Sequence, residues 1–109
     1  MRIWDIPPEQ LCRNHLLGEH RELHAIWSIL IHHKRGYANH PETLRWKGKQ
    51  IALYLRHEQL VKEMTQRGYH HLSPLEVQYA TGENKQNVLL DSYDEQVHLL
   101  RLKKCGCKV

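Results

Sequence analysis

The sequence predicts an all-α fold: a compact single domain of two long helices followed by shorter C-terminal helices. Three observations carry this. Apolar residues recur at helical spacing through most of the chain, two-residue alternation is nowhere sustained, and Ser-x-x-Glu, the pattern of a helix-opening capping box, occurs at Ser73-Pro74-Leu75-Glu76 and at Ser92-Tyr93-Asp94-Glu95. Pro7-Pro8 suits a first helical turn, and a polar–apolar pattern then runs to Gly36, so one helix is expected across this stretch. Leu16, Leu23, Trp27, Leu30 and Ile31 fall on one arc of roughly 100°, the face expected to bury. His15, Gly18, Glu19, Glu22 and Ile26 form the neighbouring stripe, where the small Gly18 leaves a gap between His15 and Glu22 and makes this side a candidate cleft wall.

A second helix is expected from Asn39-His40-Pro41-Glu42 to Arg67-Gly68, kinked or delayed at Gly48, with Ile51, Tyr54, Leu55, Val61 and Met64 at compatible spacing. The two Ser-x-x-Glu sites start two shorter helices. The last of these carries Tyr93, Val97 and Leu100 on one side, places Arg101, Lys103 and Lys104 near its negative dipole end, and stops around Gly106. Thr81 to Asn87 reads as a mobile loop.

With 109 residues the chain is long enough for one hydrophobic core, so residues 1–109 are taken as one domain. No apolar run reaches the roughly 18 residues of a membrane span, and the first eight residues contain no signal-like apolar stretch, so a cytoplasmic protein without a membrane partner is expected. Three cysteines, Cys12, Cys105 and Cys107, do not fit a secreted disulfide framework and are read as reduced thiols.

Sixteen Lys and Arg against 12 Asp and Glu give a net charge of +4. The excess lies before His71, where 11 basic residues face 7 acidic ones; after it the count is 5 and 5. Lys34, Arg35, Arg45, Lys47 and Lys49, with Tyr37 and Trp46 among them and Glu42 as the single acid, form a stretch suited to holding phosphates. Of Trp4, Trp27 and Trp46, the last is the one expected to stack on DNA, because Trp27 lies on the apolar arc.

Ten histidines raise the question of a metal. His20 and His24, one helical turn apart, could face one ion, but His20-Arg21-Glu22-Leu23-His24 places the glutamate on a different face from the one a metalloprotease helix uses, and no third ligand is apparent. His32-His33 and His70-His71 are read as solvated or capping pairs. Cys105-Gly106-Cys107 could bind a soft ion but is read as a frayed terminus. No metal site and no cofactor are therefore expected.

The block Leu11-Cys12-Arg13-Asn14-His15-Leu16-Leu17-Gly18-Glu19-His20-Arg21-Glu22-Leu23, about a dozen residues after Met1-Arg2-Ile3, resembles the active-site signature of the pyrimidine dimer DNA glycosylase family, the phage-type endonuclease V enzymes. Arg56-His57, Leu60-Val61, Glu63-Met64 and Arg67-Gly68-Tyr69 resemble that family's later helix and its Arg-Gly-aromatic ending. The resemblance covers residues 1 to about 75, and residues 76–109 diverge from the family's aromatic and basic ending. His24-Ala25-Ile26 also stands where the family can carry a further arginine.

The resemblance implies a DNA-repair N-glycosylase with abasic-site lyase activity on ultraviolet-damaged, double-stranded DNA, its nucleophile the terminal amine, here of Met1. The chemistry is sensible, because an α-amine titrates near 7.8 rather than the roughly 10.4 of lysine and is partly unprotonated at neutral pH. By matched motif Glu22 takes the catalytic glutamate's place, Arg2 and Arg21 hold phosphates, and His15 positions DNA or Glu22. No cofactor and no obligatory protein partner are implied. Two other readings stay open at this point: a non-catalytic helical DNA-binding module, and a histidine-based metal-binding domain.

Overall fold

A computed structural model of the chain describes residues 1–70 and 73–109. An extended N-terminal segment leads through a 3-10 turn at Pro8–Gln10 into α1 (Arg13–His32). The short α2 (Pro41–Trp46) and the long α3 (Gln50–Gln66) follow, then a 3-10 turn at Val77–Tyr79 and finally α4 (Tyr93–Leu102). The all-helical expectation holds, and among the described residues β-pairing is confined to one isolated bridge between Lys49 and Gly82. No helix is long and apolar enough to cross a membrane.

α1 packs along α3, and Leu16, Leu23, Ile26 and Trp27 of the first interlock with Ala52, Leu53, Leu60 and Met64 of the second. The same apolar cluster takes in Ile3, Trp4 and Ile6 from the N-terminal segment and Leu100 from α4. One core therefore joins both ends of the chain. The apolar arc foreseen on α1 buries Leu16, Leu23 and Trp27, but Leu30 and Ile31 are only partly covered, while Ile26 and Glu19 of the neighbouring stripe are buried.

Four boundaries differ from the sequence reading. The first helix does not run from Pro7: Leu11 and Cys12 are extended, which sends Leu11 into the core, and Arg67 donates to the Leu11 carbonyl at 2.7 Å. At its far end α1 stops at His33, not Gly36, because His33 adopts the left-handed conformation (φ 52°) and its amide caps the Ile29 carbonyl. The second expected helix is two, broken at Lys47-Gly48-Lys49. Thr81 to Asn87, read as a mobile loop, makes that break: the Thr81 and Glu83 carbonyls accept from the Ile51 and Ala52 amides, and the Glu83 amide donates to the Gly48 carbonyl. These bonds satisfy amides that α3 itself leaves unpaired in its first turn.

The two capping boxes behave differently. Ser92 accepts from the Glu95 amide at 3.2 Å and opens α4 as expected. Ser73 opens no α-helix; the segment enters only the brief 3-10 turn at Val77, and Glu76 is drawn away by the Trp27 indole, which donates to its carboxylate at 2.8 Å. His71 of the expected His70-His71 pair lies outside the described residues, and His70 is exposed.

Candidate active site

The N-terminal segment is extended and forms no helix of its own, so its backbone groups need partners from elsewhere. Each comes from a different helix. The Ile3 carbonyl accepts from Arg45 of α2 at 2.9 Å, and the Trp4 amide donates to Glu19 of α1 at 2.9 Å. The Asp5 amide donates to Gln96 of α4 at 2.8 Å, and the Ile6 carbonyl accepts from Arg56 of α3 at 2.9 Å. All four anchors are at least partly buried, and three are charge-paired: Glu19 and Arg56 with each other, and Arg45 with both Glu42 and Asp5. Chain termini ordinarily fray. This one is fixed residue by residue, and Met1 packs against the core at its end.

Met1 and Arg2 there form one wall of a cavity of roughly 350 Å³, together with Trp4. The opposite wall comes from α1, where Gly18 leaves space between His15 and Glu22, and Leu99 and Lys103 close the side from the end of α4. The cleft wall foreseen on the His15–Glu22 stripe is thus present, with Met1 facing the same space. Glu22 is half-buried, and among the described residues its carboxylate makes neither an ion pair nor a hydrogen bond; the same is true of the Met1 amine. Glu19, which also lines the cavity, is the opposite case. Burial pushes its carboxyl up, the Arg56 guanidinium at 2.7 and 3.1 Å and the Trp4 amide oppose that, and the group is consumed in holding the backbone.

The other site candidates divide. Arg2 lines the cavity, but its guanidinium is tied to Asp91 at 2.8 Å and lies over the Trp4 ring. Arg21 is exposed on the adjacent face of α1, beside His20 and His24, and does not enter the cavity. His15 reaches the cavity with its ring edge against Trp4; burial, and then the charge of Lys103, lower its pKa from 6.5. Lys34, Arg35 and Lys47 are exposed, and Lys49 is partly covered with its ammonium on Gln86 at 2.7 Å.

Two expected DNA contacts are corrected. Arg45 is 5% exposed and its guanidinium is used up by Glu42, Asp5 and the Ile3 and Val88 carbonyls. Trp46, 3% exposed, donates its indole N–H to Glu42 and sits in the core. Charge and proximity in sequence group both with their neighbours, but a six-residue helix has an inner face, and they occupy it. Tyr37, 71% exposed with φ 58°, is the aromatic side chain that the basic loop presents.

Two clusters are only half legible in the sequence, which marks the His20–His24 pair and the Cys105–Cys107 pair but not their partners. His57, fully buried on α3, is the third ligand group missing from the His20–His24 pair: its Nε2 lies 3.1 Å from that of His24, which is 3.2 Å from that of His20. The tail is also not frayed. Cys105 and Cys107 pack against Cys12 and His15 at the head of α1, and the Lys108 amide donates to the Gln10 carbonyl at 2.7 Å. Both clusters join residues more than 30 positions apart, beyond any local spacing rule. Lys103, too, reaches the cavity from a segment in which the sequence marks only a helix end.

A larger depression of roughly 640 Å³ lies between residues 5–9 and α3. Neither Met1 nor Glu22 lines it, and Arg56 and Glu63, which do, are held by Glu19 and Arg67. The smaller cavity is the one that Met1 and Glu22 share.

Against known proteins, no curated sequence and no solved structure gives a match. A family model described as pyrimidine dimer DNA glycosylase matches residues 1–77, which takes in the anchored N-terminal segment, α1, α2 and all of α3. That stretch is more than two thirds of the chain and builds most of the cavity, so the chain belongs to the pyrimidine dimer DNA glycosylase family of DNA-repair enzymes.

Proposed function

We propose that this enzyme is a combined N-glycosylase and abasic-site lyase acting on ultraviolet-damaged duplex DNA that contains pyrimidine dimers, with the Met1 α-amine as nucleophile and Glu22 as the acid–base group. The observation that carries this reading is the shared cavity: Met1, on a segment anchored by four helices, lines it together with Glu22, whose carboxylate has no partner among the described residues. The nitrogen lone pair attacks C1′, and the glycosidic bond breaks with its electron pair leaving on the base. Loss of a proton from the nitrogen and opening of the C1′–O4′ bond, with O4′ taking a proton from Glu22, give an iminium. The Glu22 carboxylate then removes a C2′ proton, the electrons move toward the iminium, and the 3′ phosphate leaves by β-elimination. Water hydrolyses the imine and frees the amine.

A damaged nucleotide enters such a cavity only if the duplex is kinked or a nucleotide is extruded, which costs least where stacking is already weakened. Arg2 and Lys103 at the cavity carry positive charge toward the lesion. Arg21 takes a flanking phosphate on the neighbouring face. α1 runs ten residues past Glu22 to His32, about 15 Å at 1.5 Å per residue, and Lys34 and Arg35 follow its end; with Lys47, Lys49 and Tyr37 they extend the contact along the backbone.

Borohydride trapping tests the reading. Unblocked protein incubated with dimer-containing or abasic duplex gives a covalent adduct, reduced by Glu22→Gln and abolished by acetylation of the terminus. Absence of an adduct on both substrates, with salt-sensitive binding retained, would instead identify a non-catalytic DNA-binding module.

A further inference from the structure

Cys12, His15, Cys105 and Cys107 bring three sulfurs and one imidazole nitrogen within 4.8 Å of one another. His15 Nδ1 lies 3.1 Å from Cys12 Sγ, 3.2 Å from Cys105 Sγ and 3.5 Å from Cys107 Sγ, and the two tail sulfurs are 3.5 Å apart. A tetrahedral zinc ion with Zn–S near 2.3 Å and Zn–N near 2.0 Å would set sulfur–sulfur and sulfur–nitrogen edges of about 3.5–3.8 Å. The observed edges need to open by only a few tenths of an ångström. The sulfurs are not in a disulfide.

The backbone supports the same arrangement. The tail turns back on itself through two left-handed residues, Lys104 (φ 49°) and Gly106 (φ 95°), which bring both tail cysteines toward the head of α1. The Cys12 amide donates to Cys107 Sγ at 3.0 Å, the kind of outer contact that stabilises a metal-bound thiolate. Lys103 lies close enough to act on His15 electrostatically and offsets the net negative charge that three thiolates leave on a divalent ion.

We propose that these four residues form a structural zinc site of Cys3His type, which fastens the C-terminal tail to the start of α1 and holds His15 in place at the edge of the cavity. Its two tail ligands lie beyond the family-matched residues 1–77 and its other two within them, so the C-terminal segment completes a site that the matched region only half supplies. Four ligands close the coordination sphere, as in structural zinc sites. The tail is thereby fixed by coordination as well as by packing, and Lys103, two residues before Cys105, is delivered to the cavity. The assignment does not depend on the glycosylase–lyase reading.

The test is metal analysis of the full chain purified without chelator. About one zinc per chain should be lost on going to Cys105→Ser/Cys107→Ser, as expected when two of four ligands are removed. Wild-type protein stripped of metal and reloaded with Co(II) should show thiolate-to-cobalt charge transfer and the visible bands of tetrahedral cobalt, a readout that needs no variant to fold. His15→Cys, which offers a fourth thiolate, should keep the metal. The proposal is overturned by cobalt spectra lacking thiolate bands. It also fails if zinc survives in the double variant and is lost only in His24→Ala, which would place the ion on His20, His24 and His57. A native chain lighter by two hydrogens, with Cys105 and Cys107 oxidised together, would overturn it as well.

Discussion

Replacing Arg56 with methionine should remove the support of the N-terminal segment at one point and destabilise the protein in a pH-dependent way. The Arg56 side chain is 11% exposed and Glu19 opposite it fully covered, joined by two charge-assisted bonds of 2.7 and 3.1 Å, with a third bond from Arg56 to the Ile6 carbonyl at 2.9 Å. Methionine fills much of the volume but leaves the Glu19 carboxylate buried with the Trp4 amide as its remaining partner. Breaking a buried pair in this way costs about 3–5 kcal/mol, a large part of the roughly 5–15 kcal/mol that holds a domain folded. Burial raises the Glu19 pKa above its unfolded value, and Arg56 opposes the rise. Protonated Glu19 therefore favours the folded state: stability from this site is complete below the ordinary carboxylate range and is lost as pH rises through the folded pKa. Without Arg56 the folded pKa moves further up and the loss deepens, so the gap between wild type and Arg56→Met should be smallest below the ordinary carboxylate range and widen as pH rises above it. Urea unfolding followed by tryptophan fluorescence across this range measures it, and Glu19→Gln in the Arg56→Met background should recover part of the deficit. A deficit below about 1 kcal/mol, or one that does not change with pH, would refute the account of Glu19 and Arg56 as a buried anchor.

Trp46→Ala should cost about 3–5 kcal/mol because its ring is in the core, whereas Tyr37→Ala should leave stability within about 0.5 kcal/mol and weaken duplex binding; thermal unfolding and fluorescence anisotropy separate the two. Lys34→Ala with Arg35→Ala should flatten the salt dependence of binding by about 0.9 in slope for each phosphate no longer neutralised, without altering borohydride trapping on saturating substrate. Gly82→Ala should destabilise by about 1–3 kcal/mol, since Gly82 is at φ 83° and a Cβ there would collide with the Gly48 carbonyl beneath it; a melting temperature equal to wild type would show that the loop is not held against α3.

How much of the site can be read along the chain follows from how far apart its parts are. Met1, His15, Gly18 and Glu22 are legible because three of them share a helix face, where spacing alone predicts neighbours, and the motif resemblance links that face to the terminus. Arg45 and Trp46 mislead for the complementary reason. Charge and aromaticity mark residues able to bind DNA, but whether they are exposed depends on which face of α2 meets the core, and Asp5 and Val88, from distant segments, decide that by claiming Arg45.

The sequence by itself determined the helical class, the region of excess positive charge and the helix stripe that carries Glu22, because these rest on local periodicity and composition. Only the tertiary structure decided where α1 and α3 begin, which basic residues are consumed internally, and that Lys103, His57, Cys105 and Cys107 have functional neighbours at all. Each of those outcomes depends on contacts between segments 30 or more residues apart, and such contacts are settled by competition for burial and for hydrogen-bond partners, which leaves no periodic trace in the chain.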